Sequence, residues 1–488
     1  MVSLRTLLIG VLLLAASRMQ GALVTWDAGG GDGLWGTATN WSDDINGFQE
    51  GDDVAFVATG LAGEQTVDVG GARTLGTLTF NADAASNVTL SNGSMTLNSI
   101  SIDAASSATR HLIAADVLLA TSQTWTNHSA ASLLQVTGSV MASGEAHDLT
   151  IAGAGNTAIS GGISLDTGAL IKNGTGTLTL SGTNDYSGGT YINDGTVQLG
   201  SSNVLGSNGL HLSSTTAVLD LNGYDVSVNG LFGNPSDQTQ AGTVLNNGAS
   251  PASLTVGTGN GGSRFYGNIT DGTGVLSLNV TGRGVTGLYG VNTFSGGMFI
   301  GGGGTVRTDS SRSLGSGAIT FYDDVEGGKL MVGTTNFSGR YNVDGIGTID
   351  VGTGLTSSLT GNLTGAGMLI KSGDGDLVLL TSTANFTGDL VLGYGALGAG
   401  NDYARLRLYA TTQTTQPTGR LEGVKSVTIN PGSELLISNA RIAPEVDFLN
   451  DSAAIYLTGG SLYYQGAYGT ASQETVGAVT LVEGVSVI

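Results

Sequence analysis

The residues of this chain with the types and spacing for chemistry fall into two acidic clusters, each close to a lysine. Asp323-Asp324-Val325-Glu326 is followed by Lys329, and Asp374-Gly375-Asp376 is preceded by Lys371. Carboxylates gathered beside a base are what acid–base cleavage of a polysaccharide needs, and carboxylates alone can hold calcium. A plainer reading is preferred. The first cluster reads as a polar loop between strands, and in the second Asp and Gly satisfy a tight corner. Asp323, Asp324, Asp374 and Asp376 are then expected at the surface, sharing no pocket with a base. The calcium-binding G-G-x-G-x-D-x-U-x nonapeptide is absent. No catalytic, cofactor-binding or metal-ligating residue is nominated, and no cofactor is expected.

Other chemical signals are weaker. The four histidines (His111, His128, His147, His211) are scattered, and none has a second ligand at metal-site spacing. G-x-G-x-x-G occurs at Gly257, Gly259, Gly262 and at Gly282, Gly284, Gly287, but strand-like residues follow, not the helix that would receive a pyrophosphate. Neither is a dinucleotide site. Trp26, Trp35 and Trp41 crowd one short segment. They read as a cover for the first coil of a repeat structure, with a carbohydrate-stacking platform as the alternative.

The elements that must position these groups are short alternating strands. Thr66-Val67-Asp68-Val69, Thr77-Leu78-Thr79-Phe80, Val88-Thr89-Leu90 and Ile100-Ser101-Ile102 alternate with period two and are separated by Gly, Asn, Ser and Asp. Helical periodicity is weak near Ala114 to Ala120, where a strand fits equally well. From Gly174 the chain reads GTGTLTLSGTNDYSGGTYINDGTVQLG, two strands around an aromatic corner. Weaker copies follow from Gly284 and Gly375, each with one corner aromatic (Tyr186, Phe294, Phe386). The copy at Gly284 loses its alternation at Thr286-Gly287. Gly176, Gly284 and Gly375 are 108 and then 91 residues apart, too uneven for the regular blades of a β-propeller. Stacked coils of roughly 20 to 25 residues fit better and would make a rod near 100 Å long. In those coils Leu178, Leu180, Ile192, Val197 and Leu199 should point inward, while polar side chains form stacked ladders and satisfy turns.

The copy at Gly174 resembles the passenger-associated transport repeat, also called the autotransporter-associated β-strand repeat, of secreted bacterial surface proteins. It follows the pattern G-x-G-T-L-x-L-x-G-x-N-x-Y-S-G-G-T almost throughout. The string TWDAGGGDGLWGTATNWSDD resembles the segment that often precedes such repeats. The resemblance implies a β-helical passenger and no particular chemistry. The expected fold is all-β, a right-handed parallel β-helix (β-solenoid) with an amino-terminal aromatic cap.

Composition agrees with this and limits the function. Glycine supplies 82 of 488 residues without a collagen-like period, as tight corners require. The net charge of −21 argues against nucleic acid and anionic membranes as partners. There is no cysteine, so packing and hydrogen bonds must hold a secreted fold. Residues 1–22 read as a signal peptide, with Arg5 before an apolar run from Leu7 to Ala16; no later segment is long and apolar enough for a membrane helix. The expected organisation is signal peptide 1–22, capping segment 23–60, divergent coils 61–165 and passenger-type coils 166–488. The carboxy-terminal residues continue the solenoid pattern and stop within a strand. This leads to the expectation that the natural polypeptide extends past Ile488 and that its outer-membrane exit lies elsewhere.

The resulting expectation is a secreted or cell-surface structural passenger for adhesion, matrix formation or spacing. Its partners would be a cell-surface or extracellular polysaccharide or protein. A carbohydrate-active β-helix enzyme (lyase or hydrolase) and a carbohydrate-binding module are the alternatives.

Overall fold

The computed structural model describes residues 21–57, 63–81, 86–234, 237, 241–323, 325–333, 336–381, 383–393, 403–409, 419–439, 447–466, 472–482 and 484–488. The signal-peptide reading therefore lies outside the described residues except at Gly21 and Ala22, and Asp324 lies outside them as well. Two compact units are distinguished, Met1–Gly189 with Asp194–Val197, and Thr190–Asn193 with Gln198–Ile488.

In the first unit each coil has three faces. Arg110–Ile113 forms one face, and the 12-residue strand Asp116–Asn127 serves the other two, pairing first with Val140–Ala142 and then with Leu149–Ala152. Leu133–Val136 lies on Arg110–Ile113, and Thr157–Ile159 lies on Leu133–Val136, all parallel. Successive partners Leu112, Gln135 and Ala158 are 23 residues apart, one coil each time. The strand reading of Ala114 to Ala120 is thus the correct one.

The second unit follows the same plan. Ser263–Phe265, Asn268–Ile269 and Leu276–Val280 occupy three faces before Val285–Leu288 returns beside Ser263–Phe265. Every ladder between described strands of the unit is parallel, which excludes the antiparallel blades of a propeller. Each unit is a parallel β-solenoid. Among the described residues there is no α-helix, only two short 3₁₀ turns, and no helix is long and apolar enough to cross a membrane.

Alternation places the core. Thr177–Leu180 exposes its threonines partly and buries its leucines; Leu178, Leu180, Ile192, Val197 and Leu199 are all 0% exposed, as expected. Each such side chain contributes about 1.5–3 kcal/mol by leaving water. The corner aromatics Tyr186, Phe294 and Phe386 are buried too, filling the wedge where a coil turns.

Stacking also explains the glycines. Gly174 has φ +78, and a Cβ there would stand 2.6 Å from the carbonyl oxygen of Gly153; one on Gly195 would stand 2.4 Å from that of Gly174. At this corner coils approach backbone to backbone, and only glycine fits.

Buried asparagines act differently from the expected side-chain ladders. Asn246 donates to the carbonyls of Ser250 and Val275 (both 2.9 Å) and accepts from the amides of Gly223 and Gly248. Asn127 likewise donates to Ser132 and Asn156. They fasten backbone to backbone between coils, because a corner leaves carbonyls and amides that no ladder can pair.

At the amino-terminal end of the first unit, Trp41 meets the edges of Trp26 (5.1 Å) and Trp35 (4.8 Å), and Phe48 closes on Trp35 (5.3 Å). The Trp41 indole N–H donates to the Trp35 carbonyl at 2.8 Å. All three tryptophans are at most 1% exposed, so no ring face is open to a sugar. This is an aromatic cap on the core.

Candidate functional site

The described carboxylates of the acidic clusters take part in structural contacts. Asp323 accepts backbone N–H groups from Val325 (2.7 Å), Gly302 (2.9 Å) and Glu326 (3.3 Å). The Val325 amide above all holds its carboxyl below the usual range. Glu326 pairs with Arg283 at 2.7 Å, and Lys329 with Asp350 at 3.7 Å. Asp374 is exposed and accepts from Thr353 and the Tyr403 amide.

Asp376 departs from the expected exposure. Its side chain is 16% exposed and lies between Arg407 (2.6 Å) and Arg405 (3.5 Å), which are on the adjacent strand. Lys371 is fully buried, its amine donating to the carbonyls of Ser372 (2.6 Å) and Gly373 (2.7 Å). Proximity in sequence did not place this lysine beside the aspartates, because alternation turns its side chain into the coil. Among the described residues there is no cluster of three metal-ligating side chains.

The histidines separate as well. His111 is enclosed and stacked on Phe80 at 4.2 Å, and burial pushes it down to about 4. His128 is exposed and His147 half-buried. His211 belongs to something larger.

On one face of the second unit the outward positions of successive coils form a column. Tyr191 pairs in register with His211, His211 with Phe232, Phe232 with Arg264, Arg264 with Gly287, and Gly287 with Arg307. The inward neighbours Ile192, Leu212, Leu231, Phe265, Leu288 and Val306 are buried, so period two turns this column toward solvent. Tyr191, His211 and Phe232 stack face to face at 4.4 and 4.8 Å, the separation that neighbouring strands impose. Burial in this stack lowers the His211 pKa and favours the neutral ring.

Beyond Phe232 the column opens into a cleft of about 540 Å³, lined by Phe232, Arg264, Val285, Gly287, Tyr289 and Arg307 among others. Gly287 creates its floor. A Cβ there would stand 2.7 Å from the Tyr289 ring, so the absence of a side chain lets Tyr289 lean across the strand. Tyr289 is itself stacked on Tyr266 at 4.7 Å. Arg264 and Arg307 flank the glycine, both exposed, and among the described residues neither has a carboxylate within ion-pairing distance. Flat rings beside two free guanidiniums can bind a planar or ring-shaped anion.

None of these lining residues was nominated from sequence. The available signal was the loss of alternation at Thr286-Gly287, together with Gly262 and Gly287 of the two G-x-G-x-x-G strings. Those glycines serve corners and this notch; Gly257 and Gly282 have φ +99 and +72, and strands follow them.

Comparison with known proteins agrees with the repeat reading. Residues 170–199 match the family described as passenger-associated-transport-repeat. The chain is 31% identical over 266 residues to the adhesin BmaC autotransporter of Brucella suis biovar 1 (strain 1330), a match covering 52% of this chain and 7% of that protein. No solved structure matches the chain.

Proposed function

We propose that this chain is a secreted or surface-exposed structural passenger that acts by adhesion or in a matrix or spacing role, and not by catalysis. In this reading residues 1–22 direct export, 23–60 cap the solenoid, and 61–165 and 166–488 form divergent and passenger-type coils. Its partners are extracellular or cell-surface polysaccharides or proteins, and nucleic acid is not among them.

The observation that carries the reading is how the carboxylates are used. In a passenger-type solenoid, Asp323 is tied to turn amides and Asp376 to two arginines, which supports a structural use of these acids among the described residues. General acid–base cleavage requires a pair poised for proton transfer. The similarity to part of an autotransporter adhesin supports display at a surface.

The test is direct. The purified protein should adhere to extracellular matrix or cell surfaces and release no reducing ends or unsaturated products from acidic or plant polysaccharides. Turnover abolished by Asp323→Ala or Asp376→Ala would establish the enzymatic alternative instead.

A further inference from the structure

The geometry points to the Phe232–Arg307 cleft as a binding site for an acidic polysaccharide, one whose sugar rings carry carboxylates at intervals along the chain. This rests on the adhesive reading and names its ligand class. Three observations converge on the same strip of the second unit.

The first is charge. The chain carries 38 acidic and 17 basic residues, so a free cation pair on its surface is a local exception. Arg73, Arg110, Arg283, Arg405, Arg407 and Arg420 each hold a carboxylate. Arg264 and Arg307, like Arg312 and Arg340, hold none among the described residues; these two stand outward on regular strands and line one cleft. A guanidinium presents paired donors that match a carboxylate's two oxygens.

The second is spacing. Arg264 and Arg307 are two strand steps apart with Gly287 between them, about 10 Å along the strip. That is commensurate with carboxylates on non-adjacent sugar units of one chain.

The third is shape. Phe232 ends the aromatic stack with one ring face turned toward the cleft side of the column, and Tyr289 lies across the bare floor at Gly287. The apolar faces of sugar rings pack on such aromatic surfaces, while their hydroxyls stay in water. A cleft of about 540 Å³ is within the range that encloses a small ligand or a short stretch of a longer one. An extended acidic peptide satisfies the charges but offers no rigid ring to Phe232 and Tyr289. A densely charged polyanion is repelled by the net charge of −21 more strongly than a glycan with spaced carboxylates.

The experiment uses the purified full chain in calorimetric or affinity-electrophoresis titrations. The probes are a short oligogalacturonate, the same oligomer with its carboxylates reduced to alcohols, and polyglutamate. The oligogalacturonate should bind, more weakly at high salt, and the other two should bind at least about tenfold less tightly. Arg264→Ala combined with Arg307→Ala should lower affinity at least about tenfold. Gly287→Val, which displaces Tyr289, should lower it separately without removing charge. Both arginines are exposed, and an unchanged circular dichroism spectrum of that variant checks the fold.

No binding of oligogalacturonate, equal binding of the reduced oligomer, equal binding of polyglutamate, or a double variant with unchanged affinity would each overturn the assignment. Adhesion of wild type that survives in the double variant would refute the cleft and leave the adhesive passenger intact. Cleavage of the oligogalacturonate would refute the passenger reading itself.

Discussion

Lys172, within the passenger-type repeat, is 2% exposed, and its ammonium is tied to three backbone carbonyls: Asn173 (3.2 Å), Gly174 and Asp194 (3.2 Å). Lys172→Met keeps the apolar stem and removes the donors. Three carbonyls at a coil corner then lose a partner, at about 1–2 kcal/mol each. Against this stands the cost of burying the charge. Desolvation, partly offset by Asp194, brings the Lys172 pKa down to about 8 from 10.5. At 1.36 kcal/mol per unit, reduced for residual solvent screening at the corner, that cost is roughly 2 kcal/mol. The lost hydrogen bonds win, and the variant should be less stable by roughly 1–4 kcal/mol at pH 7. The pH dependence has a definite sign. The folded pKa lies below the unfolded one, so the unfolded chain binds more protons between about 8 and 10.5, and this group's contribution to stability rises across that window. Denaturant titrations at pH 7 and near pH 10, with hydrogen exchange on Thr177–Leu180 to localise the effect, should show a pH increment in wild type that Lys172→Met lacks. Equal increments in both proteins would show that burial does not depress the Lys172 pKa, and a variant more stable than wild type at pH 7 would show that the buried charge and not its hydrogen bonds dominates this corner.

Three further outcomes follow from the same geometry. Trp41→Ala should cost about 3–5 kcal/mol locally, because it opens a cavity against Trp26 and Trp35; limited proteolysis should then cut the amino-terminal coil first, and unchanged resistance would refute the packed cap. Gly174→Ala should destabilise by more than about 1 kcal/mol, since positive φ and the 2.6 Å approach to the Gly153 carbonyl both penalise a Cβ; a thermal midpoint equal to wild type would contradict the corner geometry. Glu474 accepts the amides of Phe448 and Leu449, and desolvation raises its pKa from 4.5 to about 7. Its contribution is therefore present below about pH 4.5 and lost as pH rises through about 7, so intrinsic-rate-corrected exchange protection of those amides should fall across that range in wild type but not in Glu474→Gln.

Period-two alternation in segments such as Thr177–Leu180 is local information, and it determined the strands, their inward faces and the core residues. Parallel stacking was also legible, because a repeated strand-corner-strand unit cannot bury its apolar face alone. Corner glycine was legible for the same reason. The fates of polar side chains were not. Lys371 and Asp376 are five positions apart, yet one ends on backbone carbonyls within its coil and the other on arginines of the next. Nothing local decides that; coil register does. The cleft is the clearest case. Tyr191, His211, Phe232, Arg264, Gly287 and Arg307 are separated by 20, 21, 32, 23 and 20 residues, an uneven series that conceals one column. Loop lengths between strands vary freely while the distance between stacked strands does not. The sequence by itself therefore determined what each strand buries, and only the tertiary structure decided which exposed residues become neighbours.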